Sequence, residues 1–159
     1  MLITVAAVGK LKAGPERELF ERYMERAEAA GRALGLTFAN REFAESRAAS
    51  ADQRKSQEAI VLRGAAPPGA IMVVLDERGR GLTSRELAGR IAAWRDGGQP
   101  SAVFAIGGPD GHAADLLAGA SLKLALGTVT WPHQLVRIML AEQLYRAVTI
   151  LSGHPYHRD

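Results

Sequence analysis

The chain has 159 residues, of which 47% are hydrophobic and 23% are charged, and its formal net charge is +3. This length and composition are typical of one soluble globular domain, and the charge is compatible with a polyanionic partner without requiring one. Because the chain contains no cysteine, disulfides, zinc–thiolate sites and cysteine nucleophiles are excluded, which fits a reducing cytoplasm.

The apolar run at residues 2–8 has no basic segment before it, so we expect a first strand there and not a signal peptide. No apolar run approaches membrane-spanning length. Along the whole chain, apolar residues alternate between period two and period 3.6, which predicts strands alternating with helices. The predicted strands occupy residues 2–8, 36–43, 70–75, 101–106 and 121–126. The predicted helices occupy residues 15–34, 51–63, 84–95, 113–117 and 132–151.

The ends of these helices carry the usual signals. Pro15 suits the first turn of the first helix, and Gly35 is suited to end it. Ser50 is placed to cap the second helix, and Thr83 and Glu86 have the spacing of a capping box before the third.

This alternation predicts an α/β domain over residues 1–159, with a mostly parallel sheet flanked by helices. Ligands of such sheets bind beyond the carboxyl ends of the strands. Three predicted strands are followed by distinctive loops, at residues 76–81, 107–111 and 127–131. We therefore expect these three loops to line one site.

Taken alone, each loop also has a simpler interpretation. The loop Gly107–Gly111 lacks the spacing of the dinucleotide and Walker motifs, so a tight strand-to-helix connection is as good an interpretation as a ligand loop. The run Leu126–Trp131 could accommodate an adenine ring, although an ordinary connection with Trp131 in the core is simpler. The charged residues Asp76–Arg78 are either ligand contacts or a surface turn.

The last predicted helix is apolar over more than half of its circumference and is expected to be buried inside the fold or against a partner. Glu142 and Arg146 have the spacing of an ion pair. Arg137 lies outside that pair and is a candidate to face a ligand or a neighbouring subunit, with a structural role as the simpler interpretation.

The histidines in the loops and at the helix start suggest no metal centre. His133 is expected to be a structural hydrogen-bonding residue, because the amides at a helix start disfavour an imidazolium ion. His112 is expected to be a solvated loop residue. No histidines and carboxylates have a recognisable metal spacing, so no metal is implied.

Five segments, in this order, resemble a known family: Leu75–Gly79 (LDERG), Phe104–Gly111 (FAIGGPDG), Thr130–Arg137 (TWPHQLVR), Glu142–Arg146 (EQLYR) and His154–Arg158 (HPYHR). The opening Val8–Lys12 (VGKLK) is similar to that family as well. The chain is thereby identified as resembling the bacterial large-subunit ribosomal RNA methyltransferase H family, a minimal member of the SPOUT class. Each motif is weak alone, but the ordered set is specific and spans the full length.

The resemblance implies a SPOUT-type α/β fold with a C-terminal trefoil knot and a cytoplasmic homodimer that packs through the knotted region, which would explain the apolar last helix. It implies methylation of N3 of a pseudouridine in large-subunit (23S) ribosomal RNA on the assembled ribosome. The donor would be S-adenosylmethionine and the product S-adenosylhomocysteine, with no metal. Carried over from the family, the cofactor contacts fall on Leu75, Gly107, Leu126, Gly127, Thr128, Val129, Thr130 and Trp131.

The family's tail residues for the target nucleotide fall on Tyr156, His157 and Arg158. N3 of pseudouridine must lose its proton, and histidine titrates nearest physiological pH, so His157 is the candidate base or proton shuttle. It could equally be an RNA contact, with water taking the proton. Tyr156 would stack on the base and Arg158 would bind phosphate or the developing uracil anion.

Basic residues elsewhere are candidate phosphate contacts or simply solvated charges: Lys10, Lys12 and Arg41. Two rival functions stay open at this point. One is an enzyme of the same class acting on another RNA nucleotide, and the other is a non-catalytic ribosome-associated factor that binds RNA.

Overall fold

A computed structural model describes residues 1–158; Asp159, the last residue of the predicted domain, lies outside the described residues. The strands are β1 Leu2–Val8, β2 Thr37–Phe43, β3 Ile71–Gly81, β4 Ser101–Ile106 and β5 Leu122–Ala125. The α-helices are α1 Pro15–Gly31, α2 Ala51–Gly64, α3 Ser84–Asp96, α4 Ala114–Ala118 and α5 His133–Leu151, and a 3₁₀ turn, Arg32–Leu34, follows α1. The predicted alternation of strands and helices is confirmed.

The five strands form one sheet in the order β2-β1-β4-β3-β5, and every paired neighbour is parallel. The carboxyl ends of the strands therefore meet at one edge of the sheet. The central strand β4 is buried at all six of its residues, as expected for a parallel sheet covered on both faces.

The predicted helix-end signals act as expected. Ser50 Oγ accepts a hydrogen bond from the N–H of Gln53 at the start of α2. Thr83 and Glu86 form a reciprocal capping box before α3, in which each side chain accepts from the backbone N–H of the other residue. Gly35 ends the turn after α1 with a φ of +67°, a left-handed conformation that favours glycine.

Strand β3 is longer than predicted. Its apolar run ends at Leu75, which led us to expect a loop at residues 76–81, but the strand continues to Gly81. Leu75 and Arg80 both pair with Leu124 of β5, so the residues between them form an irregular excursion from the ladder. Backbone pairing needs no apolar side chains, which is why hydrophobic periodicity did not detect this extension.

Two apolar clusters cover the two faces of the sheet. Helices α1, α3 and α5 supply the larger cluster, and α2 and α4 supply the smaller one. Helix α5 packs against α1, α3 and the sheet, so that Leu140, Ala141 and Leu144 are fully buried by their own chain. Burial inside the fold thus accounts for much of the apolar character of α5 without a partner. Within residues 1–158, no helix is long and apolar enough to cross a membrane.

Candidate active site

A cavity of about 700 Å³ lies at the carboxyl edge of the sheet, a size suited to a small organic ligand. The irregular part of β3 that begins after Leu75 lines it, together with the loops that follow β4 and β5 and the start of α5. The three segments that the sequence placed at one edge therefore do line one site, although the first of them belongs to a strand.

Seven of the eight predicted cofactor residues line this cavity: Leu75, Gly107, Leu126, Gly127, Val129, Thr130 and Trp131. Thr128 belongs to the same loop but is not among the lining residues.

Two hydrogen bonds shape the segment 126–131. The indole Nε1–H of Trp131 donates to the carbonyl of Leu126 at 2.9 Å, which closes the segment on itself. Thr130 Oγ1–H donates to Glu77 Oε2 at 3.3 Å, which joins this segment to the loop after Leu75. Trp131 is 39% exposed, so it is not the core anchor that the simpler interpretation assumed.

Two imidazole rings bond to backbone carbonyls, one within β3 and one just after β4. His133 Nε2 lies 2.9 Å from the carbonyl of Gly107, which confirms the predicted structural role. His112 Nε2 lies 3.0 Å from the carbonyl of Leu75, so the prediction of a solvated loop histidine is wrong. Because a carbonyl only accepts, each Nε2 must carry the proton. Burial lowers the pKa of both rings, with Arg137 as a further cause at His133, and both are therefore neutral at pH 7.

Arg137 does not face a ligand or the surface, which corrects that suggestion. Its side chain is 1% exposed, and Nη1 donates to Glu42 Oε1 at 2.7 Å. Nη2 donates to the carbonyls of Val8 and Gly9 at 2.9 and 2.5 Å. Arg137 thus joins α5 to the ends of β1 and β2.

The electrostatics of this ion pair follow from its surroundings. Burial lowers the pKa of Arg137, against the attraction of Glu42. Burial acts to raise the pKa of Glu42, but the backbone N–H of Leu11 and the guanidinium groups of Arg137 and Arg17 together hold that pKa below its ordinary value. Both groups therefore stay charged at neutral pH.

Charged side chains of both signs surround the cavity. Asp76 and Glu77 line it, as do Lys55 and Arg78. Such a lining could interact with the hydroxyl, ammonium and carboxylate groups of a zwitterionic ligand. In the described part of the chain, no group of three histidine, aspartate or glutamate side chains could hold a metal ion.

The C-terminal tail packs on the side of α5. The hydroxyl of Tyr156 donates to Glu142 Oε1 at 3.0 Å, and the guanidinium of Arg146 lies 4.8 Å from the centre of its ring. Burial is the main cause that raises the pKa of Tyr156, so its hydroxyl stays protonated. The predicted ion pair between Arg146 and Glu142 is confirmed, with Nε and Oε1 2.9 Å apart.

The tail and the cavity lie apart within one chain. The partners of Tyr156 on α5 begin at Glu142, six residues beyond the cavity-lining Val136, which corresponds to about 9 Å along the helix axis. Within the described chain, the cavity lining includes none of the predicted tail residues, Tyr156, His157 or Arg158. The two parts of the predicted site are thus not brought together by a single chain.

Comparison with known proteins agrees with this geometry. A family model described as "Predicted SPOUT methyltransferase" matches residues 1–157, so the chain belongs to the SPOUT methyltransferase family. A solved structure described as "a probable methylase family protein from Haemophilus influenzae Rd KW20" has a TM-score of 0.50 and 12% identity, and the match covers 99% of this chain and 70% of that one. That likeness supports the fold alone, and the predicted SPOUT fold is confirmed.

Curated relatives carry a more specific name, "Ribosomal RNA large subunit methyltransferase H". The one from Chelativorans sp. (strain BNC1) is 56% identical over 99% of this chain and 91% of its own length. The one from Mesorhizobium japonicum is 55% identical over 99% of this chain and 99% of its own length. The one from Brucella anthropi is 55% identical over the full length of both chains.

Proposed function

We propose that this chain is a cytoplasmic enzyme that methylates N3 of a pseudouridine in large-subunit (23S) ribosomal RNA, on the assembled ribosome, with S-adenosylmethionine as donor. The observation that carries the proposal is the cavity at the carboxyl edge of the sheet, lined by seven of the eight predicted cofactor residues in a chain of the SPOUT methyltransferase family. The shared name of its relatives supports the choice of substrate.

The residues around the cavity fit the proposed cofactor. Leu75, Leu126 and Val129 offer apolar contacts for a flat ring, and the backbone of the glycine loop (residues 107–111) lets polar edges approach closely. Asp76 and Glu77 are placed to accept hydrogen bonds from hydroxyl or ammonium groups. When bound, S-adenosylmethionine supplies an electrophilic methyl group.

The proposed catalytic residues are Tyr156, His157 and Arg158. Because they lie away from the cavity of their own chain, the proposal requires the tail of one protomer to reach the cavity of its partner in a homodimer. The exposed apolar side chains Val129, Trp131 and Leu135 are candidate contacts for that partner.

The surroundings of His157 constrain its role as a base. Arg146 Nη1 lies 3.4 Å from His157 Nδ1, and since arginine only donates, Nδ1 is the acceptor. A neutral ring in that state carries its proton on Nε2. To accept the N3 proton, His157 must therefore leave Arg146, because Arg146 occupies Nδ1 and Nε2 already carries a proton; this step fits a tail that moves when RNA binds.

The test is transfer of labelled methyl from S-adenosylmethionine to ribosomes that lack the modification, with free ribosomal RNA alongside. We expect incorporation on assembled ribosomes only, at one pseudouridine of the large subunit. Incorporation at another nucleotide would show that the enzyme is a methyltransferase of the same class with a different target. Absence of cofactor binding would contradict the proposal and favour a non-catalytic RNA-binding factor.

A further inference from the structure

Two side chains occupy the space that Cβ atoms would take in the glycine loop. A Cβ on Gly107 would lie 2.9 Å from Cε1 of His112, and a Cβ on Gly108 would lie 2.8 Å from Oε2 of Glu58. Cβ atoms essentially never approach other atoms this closely. The absence of a Cβ at these two glycines therefore allows His112 and Glu58 to contact the loop backbone. The contacts in turn restrict the position of that backbone.

A contribution to stability does not explain why Glu58 is buried. It projects from α2 and is 4% exposed, and Oε1 accepts a hydrogen bond from the N–H of Ser46 at 3.0 Å. Among residues 1–158, no hydrogen-bond donor reaches its other oxygen, Oε2. A buried acceptor without a partner costs free energy, and such groups are rare in native proteins. In this fold the unpaired oxygen lies against Gly108.

The same face of α2 holds the glycine loop at a second point. Arg54, one helical turn before Glu58, donates to both carboxylate oxygens of Asp110 at 2.6 and 3.1 Å. On the other side of the loop, His112 bonds to the carbonyl of Leu75, within β3. The loop is thus held between α2 and the sheet.

We propose that Glu58 is a positioning residue of the candidate site, which sets the affinity for the cofactor through the backbone of Gly107 and Gly108. Both glycines line the cavity, whereas Glu58 is not among the lining residues. Its influence on a bound molecule therefore passes through the loop. This inference rests on the proposed function, because it takes S-adenosylmethionine as the ligand.

The variant that tests the proposal is Glu58→Gln. The amide oxygen will stay at Ser46, because an amide nitrogen there would face another donor. The NH₂ group then replaces Oε2 at Gly108 and reverses the polarity of that contact. Burial and side-chain size stay the same.

The measurements are the Kd of S-adenosylhomocysteine by calorimetry, the Tm without ligand, and kcat and KM for methyl transfer. We expect the Kd and the KM for S-adenosylmethionine to rise about tenfold, with kcat and the ligand-free Tm close to those of the wild type. The control is Glu25→Gln, which makes the same charge change at an exposed position of α1 and should leave all four quantities unchanged.

A second variant, Gly108→Ala, approaches the same contact from the loop and leaves α2 intact. It should weaken S-adenosylhomocysteine binding as well. An unchanged Kd in both variants, or a Kd that rises only in proportion to a fall in the ligand-free Tm, overturns the positioning role while leaving the proposed function in place. A wild-type protein that binds no S-adenosylhomocysteine overturns both.

Discussion

The cavity loops and the C-terminal tail are both parts of the proposed site, but the fold holds them in different ways. The cavity loops are tied to separate parts of the chain by His112, His133, Thr130 and Arg54. The tail packs against one face of α5, where Tyr156 bonds to Glu142. The cavity loops are therefore held by contacts to several strands and helices, whereas the tail contacts α5 and, through Tyr156, the side chain of Tyr23 on α1.

The largest effect is expected when the buried ion pair of Arg137 and Glu42 is broken. Arg137→Ala leaves Glu42 and the carbonyls of Val8 and Gly9 without their buried donor. We expect a loss of about 3 kcal/mol in the free energy of unfolding, measured by urea denaturation. Arg22→Ala, at an exposed position of α1, is the control and should change little. A loss no larger than that of the control would show that the hydrogen bonds of Arg137 do not stabilise the fold.

The next effect concerns the tail. His157→Gln should lower kcat for methyl transfer by about a hundredfold, because the proposed proton acceptor is removed. Because His157 is proposed to act on the target base and not to bind the cofactor, the Kd of S-adenosylhomocysteine should stay unchanged. Full turnover by this variant would assign the proton to water and leave His157 as an RNA contact at most.

A substitution at Trp131 tests the cavity, where the expected change is in the Kd of the ligand. Trp131→Ala removes both the hydrogen bond to Leu126 and part of the cavity wall, so the Kd of S-adenosylhomocysteine should rise about tenfold. Because Trp131 is 39% exposed, the ligand-free Tm should fall only slightly. Trp131→Phe keeps an aromatic wall without the donor and should lie between the two. Equal Kd values in all three proteins would exclude Trp131 from ligand binding.

The smallest effect is a dependence of stability on pH. Burial lowers the pKa of His112 and His133, so the unfolded chain binds more protons than the folded one below about pH 6.5. The stability that these neutral rings contribute is fully present above that pH and is lost as the pH falls through their folded pKa values. The carboxylates with lowered pKa, such as Glu42 and Asp110, lose their contribution in a lower window, below about pH 4.5.

Urea denaturation at pH 7.5 and pH 5.5 checks the histidine effect. His112→Gln, which can still donate to Leu75, should lose less stability between the two pH values than the wild type, by at most about 1.4 kcal/mol for each pH unit. The same loss in both proteins would show that the pKa of His112 does not differ between the folded and the unfolded chain.

Local signals predicted most of the secondary structure. The bounds of β1 and β4 agree with the prediction at both ends, because each is a short run of buried residues followed by a glycine. The caps at Ser50 and Thr83 depend on residues within one helical turn, and they too are confirmed. Strand β3 exceeded its predicted end because its continuation is stabilised by pairing with β5, about forty residues later in the chain.

In the candidate site, too, some features follow from local signals and others depend on contacts between distant residues. The parallel sheet placed three segments at one edge, so a site there could be predicted from the sequence, although the first segment proved to be part of β3. The role of His112 could not, because its partner Leu75 is 37 positions away. Glu58 was missed although it left a signal: it is an acid four residues before the buried Leu62, on the apolar side of an otherwise polar helix.

The sequence by itself determined the order of strands and helices, the edge of the sheet where the cavity lies, and the family. These depend on periodicity, on caps and on motifs, which are local or retained in order along the chain. Only the tertiary structure decided that Arg137 is a buried support, that Glu58 and His112 hold the glycine loop, and that the tail lies away from the cavity of its own chain. These depend on which distant residues the packed sheet and helices bring within hydrogen-bond distance.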